Sequence, residues 1–199
     1  MKKSNISIIE FFRKNLFASM SIRALSLKLK KSYTLTYHAV QELSKKKVLN
    51  IKTVGKSKIC EISFSPEAIS LLAFLEEQEA LASIIPPLQK IMNFKEFSDD
   101  VIVVIGSYAK GTQTGKSDID LVIITKDDAF KKQKLIENLT AIMLPRIHAI
   151  VITPQDFISM LLDKKATFGK EVFKHHLVYS NAGKYYTLVK EAVEHGFRG

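Results

Sequence analysis

The sequence has few of the residues that mark secreted, metal-cluster or membrane proteins. Its 199 residues include one cysteine, Cys60, which excludes an internal disulfide and a cysteine-cluster metal site. Cys60 lies in an apolar alternation, so we expect a buried thiol. No apolar run approaches the ~20 residues that span a bilayer, and the start Met1–Lys3 does not lead into the apolar segment of a signal peptide. We therefore expect a cytoplasmic protein without a membrane segment.

Acidic residues are scarce in the first third of the chain. Residues 1–64 contain 14 Lys or Arg and only 3 acidic side chains, a net charge of +11, although the whole chain carries +10. Hydrophobic residues make up 46% of the sequence, so we expect a packed core in one large domain or two small ones. Such an excess of positive charge in one segment is typical of a surface that binds nucleic acid, although a solvated basic face is the simpler alternative.

The basic first third has the pattern of three helices followed by a β-hairpin. The predicted elements are helices over Ser4–Ala18, from Ser21, and over Ser32–Lys46, then strands over Val48–Thr53 and Lys58–Phe64. This order resembles a winged helix-turn-helix domain. The resemblance implies that residues 1–64 bind double-stranded DNA, with Ser32–Lys46 as the recognition helix. The alternative is a winged helix used only for protein contact or dimerisation.

Under the DNA-binding interpretation, polar residues of the recognition helix meet the groove and lysines meet phosphates. The expected DNA-contacting residues are Ser32, Tyr33, Thr34, Thr36, Tyr37, Lys45, Lys46, Lys47, Lys56 and Lys58.

Residues 65–97 are predicted to be a helical connector. Ser65-Pro66-Glu67 is a helix start signal, and the segment has much apolar and little Gly or Ser content. We therefore expect a rigid, packed connector. Its apolar excess would also suit a homodimer interface, as the two-fold symmetry of many DNA sites would favour.

Two apolar runs, Val101–Ile105 and Ile119–Ile124, predict buried strands on either side of a Gly- and Ser-containing loop. Asp118 and Asp120 open the second strand. Residues two apart on a strand point to the same face, so the two carboxylates should project side by side. They would repel unless a cation lay between them, and oxygen ligands at this spacing suit Mg²⁺. Backbone N–H groups at Gly106 and Ser107 could hold phosphate oxygens nearby.

The same stretch resembles the signature of the DNA-polymerase-β-type nucleotidyltransferases, and most of all the minimal nucleotidyltransferases. The matching residues are Gly106-Ser107, Ala109, Gly111, Ser117-Asp118, Asp120 and Leu121, with the spacing of the family kept. The resemblance implies that Gly106 and Ser107 contact the triphosphate, that Asp118 and Asp120 hold Mg²⁺, and that Ser117 shapes the turn before the metal-binding strand. Lys110 and Gly111 belong to the same nucleotide-binding loop, where Lys110 could steady phosphate charge.

One position departs from the family pattern. The family usually has a third carboxylate on a later strand, as metal ligand and base, and His148 occupies that place in the predicted strand Arg146–Ile152. We include His148 with Asp118 and Asp120 as a candidate catalytic residue, since an imidazole can still accept a proton. Asp156 follows Thr153-Pro154, a helix start signal, and is interpreted as a helix-end charge.

The sequence thus predicts an α+β protein with three parts: a winged helix-turn-helix over residues 1–64, a helical connector over 65–97, and a nucleotidyltransferase fold with a mixed sheet over 98–199. Three functions follow from the resemblance. The first is an enzyme that transfers a nucleoside monophosphate, AMP from ATP being the first choice, to a hydroxyl with Mg²⁺. The second is a DNA-binding regulator that only senses nucleotide. The third is an antitoxin that modifies or sequesters a helical toxin-like partner protein.

Overall fold

The computed structural model describes residues 2–83 and 85–199. It is an α+β structure, and its described residues form one three-stranded and one four-stranded sheet. The chain divides into two compact units, residues 1–75 and 76–199. The division at residues 64 and 97 stays a prediction. Within the described ranges, no helix combines the length and the apolar character that crossing a bilayer requires.

The first unit contains three helices and a small antiparallel sheet. Its elements are α1 (Lys3–Lys14), β1 (Met20–Ser21), α2 (Ile22–Lys28), α3 (Tyr33–Lys45), β2 (Leu49–Val54) and β3 (Ser57–Ile62), with strand order β1-β3-β2. Serine N-caps start two of the helices: Ser21 accepts a hydrogen bond from Ala24 N at 3.1 Å, and Ser32 accepts one from Leu35 N at 3.3 Å. Cys60 on β3 is fully buried, which confirms the prediction of a buried thiol.

Helix α4 (Pro66–Ala82) contains the division between the units. Among its described residues, the second unit continues with six α-helices, four strands and a short 3-10 helix, Lys95–Phe97. The α-helices and strands are α5 (Pro86–Met92), β4 (Val101–Ile105), α6 (Gly106–Lys110), β5 (Ile119–Ile124), α7 (Ala129–Thr140), β6 (Ile147–Ile152), α8 (Pro154–Leu162), α9 (Phe168–Lys174), β7 (Leu177–Ser180) and α10 (Ala182–Glu194).

The four-stranded sheet of the second unit has the order β6-β5-β4-β7. Strand β4 pairs antiparallel with β5 and β7, whereas β5 pairs parallel with β6. The mixed sheet is as predicted. One face packs against α5 and α7 through a buried apolar cluster that includes Ile102, Leu121 and Ile136. Helix α10 contacts β4 and β7 and also packs against α8.

The C-terminal part differs from the sequence-based prediction in two elements. The sequence pattern predicts a short helix over Glu171–Leu177, but α9 starts earlier, at Phe168, where Thr167 accepts a hydrogen bond from Lys170 N at 3.4 Å. Residues 177–180, for which no strand was predicted, form β7 at the edge of the sheet. A run of four residues is too short to carry a periodic signal, so its pairing with β4 decides its conformation.

A side-chain amide covers the outer edge of β6. The Nε2 group of Gln133 on α7 donates to the carbonyl of Ala149 at 2.9 Å, and its Oε1 accepts from Val151 N at 2.9 Å. Gln133 thus pairs with two successive outward backbone groups of this edge strand, as a neighbouring strand would.

A buried carboxylate joins α4 to the end of the second unit. Glu76 is fully buried. Its Oε2 accepts from the hydroxyl of Tyr186 on α10 at 2.9 Å, and its Oε1 accepts from Val178 N on β7 at 3.3 Å. Burial and the Glu76 charge raise the pKa of Tyr185 well above its usual value.

Candidate functional site

The loop between β4 and β5 begins as the short helix α6 and ends in a tight turn. Gly111 closes α6 in the left-handed conformation, with φ 66°, which glycine adopts without strain. Ser117 Oγ accepts a hydrogen bond from Thr114 N at 2.9 Å, and Ser117 N donates to the Thr114 carbonyl at 3.0 Å. Ser117 therefore fixes the turn that leads the chain into Asp118.

Asp118, Asp120 and His148 lie together at one end of the sheet. Asp120 on β5 is the register partner of His148 on β6. The His148 ring lies between the carboxylates, with Nε2 3.8 Å from Asp118 Oδ2 and Nδ1 3.8 Å from Asp120 Oδ1. Their side chains are 41% and 43% exposed, so both carboxylates remain open to solvent and ligand. One imidazole can reach both only because the aspartates project from the same face of the strand.

Gly106, directly after strand β4, lies close to the carboxylate of Asp120. Its φ of +68° is unfavourable for residues with a side chain, and a Cβ built on it would overlap Asp120 Oδ2. Ile105, the residue before it, is the register partner of Asp120. The glycine is therefore required both by the backbone turn and by the space that the carboxylate occupies.

A cavity of about 240 Å³ opens beside these residues. On the sheet side it is lined by Gly106, Asp120 and His148, and Lys110 of α6 also contributes. Phe168 and Glu171 of α9, and His175 directly after it, line the cavity as well. None of these three was predicted as a site residue, because the packing of α9, which spacing along the chain does not reveal, brings them here. Ser107 and Gly111 lie in the adjacent loop but do not line the cavity.

The residues at this site suit a divalent cation whose remaining coordination positions are filled by water and substrate. Across residues 2–83 and 85–199, no three His, Cys, Asp or Glu side chains are already arranged as a metal cluster. Mg²⁺, however, is usually held by one or two carboxylates together with water and substrate phosphates. Asp118 and Asp120 are two such carboxylates. Because Gly106 has no side chain, it leaves room for the carboxylate of Asp120. The residues present therefore fit Mg²⁺.

Comparison with protein families decides what this arrangement resembles. Residues 87–176 match the family model of the nucleotidyltransferase domain. This confirms the resemblance to nucleotidyltransferases for that stretch, and it supports nucleotidyl transfer as the general activity of the domain. The minimal subgroup stays a prediction. Searches of curated proteins and of solved structures gave no significant match. The matched residues include the whole Gly106–Asp120 loop, His148 and α9.

Asp156 lies at the start of α8, in the role that was predicted for it. Thr153 N and Thr153 Oγ1 donate to its carboxylate at 3.2 and 2.7 Å, and Thr153 Oγ1 accepts from Asp156 N at 3.1 Å. These hydrogen bonds from Thr153, the side chain first, lower the pKa of Asp156. Asp156 therefore caps a helix and does not replace the third carboxylate.

The residues predicted to contact DNA lie in the first unit, and most of them are exposed. A recess of about 350 Å³ is lined by Ser21 of β1 and by residues of α2, α3 and the β2–β3 hairpin: Ile22, Arg23, Tyr33, Tyr37, Lys56, Ser57 and Lys58. Lys58 Nζ donates to the Tyr37 hydroxyl at 3.2 Å and lies 5.1 Å from the centre of its ring. Ser32, Thr34, Lys45, Lys46 and Lys47 are also exposed, and Lys46 pairs with Glu42 at 2.9 Å.

Thr36 is an exception among these predicted contacts. It is fully buried, and its hydroxyl donates to the carbonyl of Ser32 at 3.0 Å. It lies on the inner face of α3 with Ala39, Val40 and Leu43. A residue with no accessible surface cannot meet a groove, so the prediction that Thr36 contacts DNA is wrong.

Proposed function

We propose that residues 76–199 transfer a nucleoside monophosphate from an NTP, with ATP as the first choice, to a hydroxyl acceptor in a Mg²⁺-dependent reaction. The observation that carries the proposal is the convergence of Asp118 and Asp120 on one imidazole, 3.8 Å from each, next to a cavity that Asp120 and His148 line. The nucleotidyltransferase match over residues 87–176 covers every residue of this arrangement.

The residues of the site divide into those that bind phosphate and those that hold the metal. Backbone groups at Gly106 and Ser107 bind the triphosphate, Lys110 offsets its charge, and Ser117 and Gly111 fix the loop. Asp118 and Asp120 hold Mg²⁺, which when bound neutralises phosphate charge and stabilises the leaving pyrophosphate. His148 lies between the two aspartates and orients them.

Label transfer tests this activity. The protein is incubated with Mg²⁺ and each of the four α-³²P-labelled NTPs. Bulk tRNA and denatured casein supply the acceptor hydroxyls, and pyrophosphate release is followed in parallel. We expect pyrophosphate release with ATP, lowered at least 100-fold in Asp118→Asn/Asp120→Asn. Glu191→Gln/Glu194→Gln on α10 removes two exposed acidic charges away from the cavity and should keep the rate.

Three results would refute the assignment. They are activity that survives the double aspartate variant, activity that persists in EDTA, and an absence of pyrophosphate release with all four nucleotides. The last result, combined with retained nucleotide binding in calorimetry, would favour the alternative in which this domain only senses nucleotide.

A second proposal concerns residues 1–64, which we infer bind double-stranded DNA in a winged helix-turn-helix manner. Their net charge of +11 and the recess lined by Arg23, Lys56 and Lys58 support it. In this proposal Tyr33 and Thr34 approach the bases, and the lysines of the hairpin contact phosphates. Localisation in the cytoplasm, a homodimer and a helical toxin-like partner stay predictions.

Fluorescence anisotropy with a genomic fragment library tests DNA binding. Each phosphate contact contributes about −0.9 to the slope of log K against log salt concentration, so Lys56→Ala/Lys58→Ala should lower the slope magnitude by about 2. Lys164→Ala/Lys165→Ala is a matched control, since both exposed lysines belong to the other unit. Binding that does not depend on salt, or an equal effect of the control, would contradict the proposal.

A further inference from the structure

The cavity beside Asp120 has a second wall. Helix α9 contributes Glu171, and His175, directly after the end of the helix, lines the cavity as well. Residues of β5 and β6, Asp120 and His148 among them, line the same cavity. A space of about 240 Å³ thus borders Asp120, one of the paired aspartates, and also a carboxylate from a different element.

Packing fixes the position of α9. A Cβ on Gly169 would approach Met160 Cβ to 2.6 Å, so the glycine lets α9 lie close against α8. Thr167 Oγ1 donates to the Met160 carbonyl at 2.6 Å, and Val172 is fully buried. The backbone of Glu171, between Gly169 and Val172, is therefore held in place while its side chain remains exposed at the cavity.

One carboxylate at the cavity, that of Glu171, is neither a proposed metal ligand nor part of an ion pair among the described residues. Asp118 and Asp120 are the proposed metal ligands, Lys110 is a cation, and His148 lies 3.8 Å from both aspartates. The Glu171 side chain makes no ion pair and no hydrogen bond within residues 2–83 and 85–199. A carboxylate that neither holds the metal nor pairs with a cation can accept a proton.

We propose that Glu171 is a catalytic residue of this site, the base that accepts the proton of the acceptor hydroxyl. The assignment rests on the proposed nucleotidyl transfer. It places the third carboxylate of the reaction on α9, in the cavity that His148 of β6 also lines.

The transfer replaces one bond at the α-phosphorus with another. Glu171 takes the acceptor proton while the acceptor oxygen forms a bond to the α-phosphorus of the NTP. The bond from the α-phosphorus to the bridging oxygen breaks, and its electron pair leaves with pyrophosphate. Glu171 then returns the proton to solvent, so no oxidant, reductant or further reactant is consumed. The products are the nucleotidylated acceptor and pyrophosphate.

The test compares Glu171→Gln with Glu194→Gln, an equal loss of charge on the exposed face of α10. Pyrophosphate release is measured with Mg·ATP and the acceptors named above, and the binding of Mg·α,β-methylene-ATP is measured by calorimetry. We expect Glu171→Gln to lower kcat by 100- to 1,000-fold, within the usual range for loss of a general base, with nucleotide Kd changed less than threefold. Glu171→Ala should regain at least tenfold in 100 mM formate, because formate can enter the space that the side chain leaves.

The outcomes separate this inference from the activity on which it rests. Retention of kcat by Glu171→Gln in a protein whose wild type is active overturns the base assignment alone. A parallel loss of nucleotide affinity, an absence of formate rescue, or a larger loss in His175→Asn overturns it too. An inactive wild type overturns the proposed transfer and the base assignment together.

Discussion

The buried carboxylate of Glu76 should couple energetically to Tyr186. Glu76→Met keeps a similar shape but removes the acceptor that Tyr186 and Val178 use at 2.9 and 3.3 Å. A buried donor that loses its acceptor costs about 1–3 kcal/mol, so we expect Glu76→Met to lower the free energy of unfolding by about 2–4 kcal/mol. Tyr186→Phe alone should cost about 1.5–3 kcal/mol, since the lost hydrogen bond has a charged acceptor.

The double variant separates this hydrogen bond from packing. Once Glu76 is methionine, removal of the Tyr186 hydroxyl should cost almost nothing, so the two changes should be non-additive by about 1.5–2.5 kcal/mol. Urea unfolding followed by far-UV circular dichroism measures each corner of the cycle. Tyr33→Phe, at a side chain 52% exposed in the other unit, is the control and should change stability by less than about 0.5 kcal/mol. Additivity within about 0.5 kcal/mol would refute the reasoning.

Three further predictions follow from single contacts. Gly106→Ala should destabilise the protein by about 1–2 kcal/mol through its left-handed backbone and weaken Mg·ATP binding at least tenfold by displacing Asp120, whereas Gly115→Ala, with open space around it, should do neither; equal effects of the two in calorimetry would contradict this. Burial raises the pKa of Cys60 to about 11, so roughly one thiol in a thousand is ionised at pH 8, and Ellman's reagent should label Cys60 only after unfolding; rapid labelling of the native protein would count against it. Burial alone would lower the pKa of Lys132, but hydrogen bonds and charges of Asp100 and Asp127 raise it above 10.5, so its stabilisation should be complete below that pH and be lost as pH rises through the higher folded value. Asp100→Asn should therefore cost about 3 kcal/mol at pH 8 and flatten the alkaline loss of stability, and an unchanged alkaline profile would be evidence against the ion pair.

The parts of the site that the sequence predicted are those that local spacing determines. Asp118 and Asp120 share a face because strand residues alternate, and Gly106 follows a buried strand where the chain must turn. Thr153 and Asp156 were likewise placed correctly, because a capping box depends on residues three apart. Cys60 was predicted to be buried from the alternation of β3 alone.

The remaining parts depend on contacts between segments that are distant in the chain. Thr36 has the character of a surface residue, but its position on the inner face of α3 buries it. The position of Glu171 at the cavity could not be predicted from the sequence, because it results from the packing of Gly169 on Met160, which are on different helices. Strand β7 is similar, since four residues adopt it only where β4 offers hydrogen bonds.

The amide of Gln133 has a consequence for how the protein behaves at high concentration. An edge strand with unpaired backbone groups can form hydrogen bonds with extended segments of other molecules, which is a common route to fibrils. Here Ala149 and Val151 already have their partners from within the same chain. These two backbone groups are therefore not free to pair with an extended segment of another molecule, which disfavours polymerisation through β6.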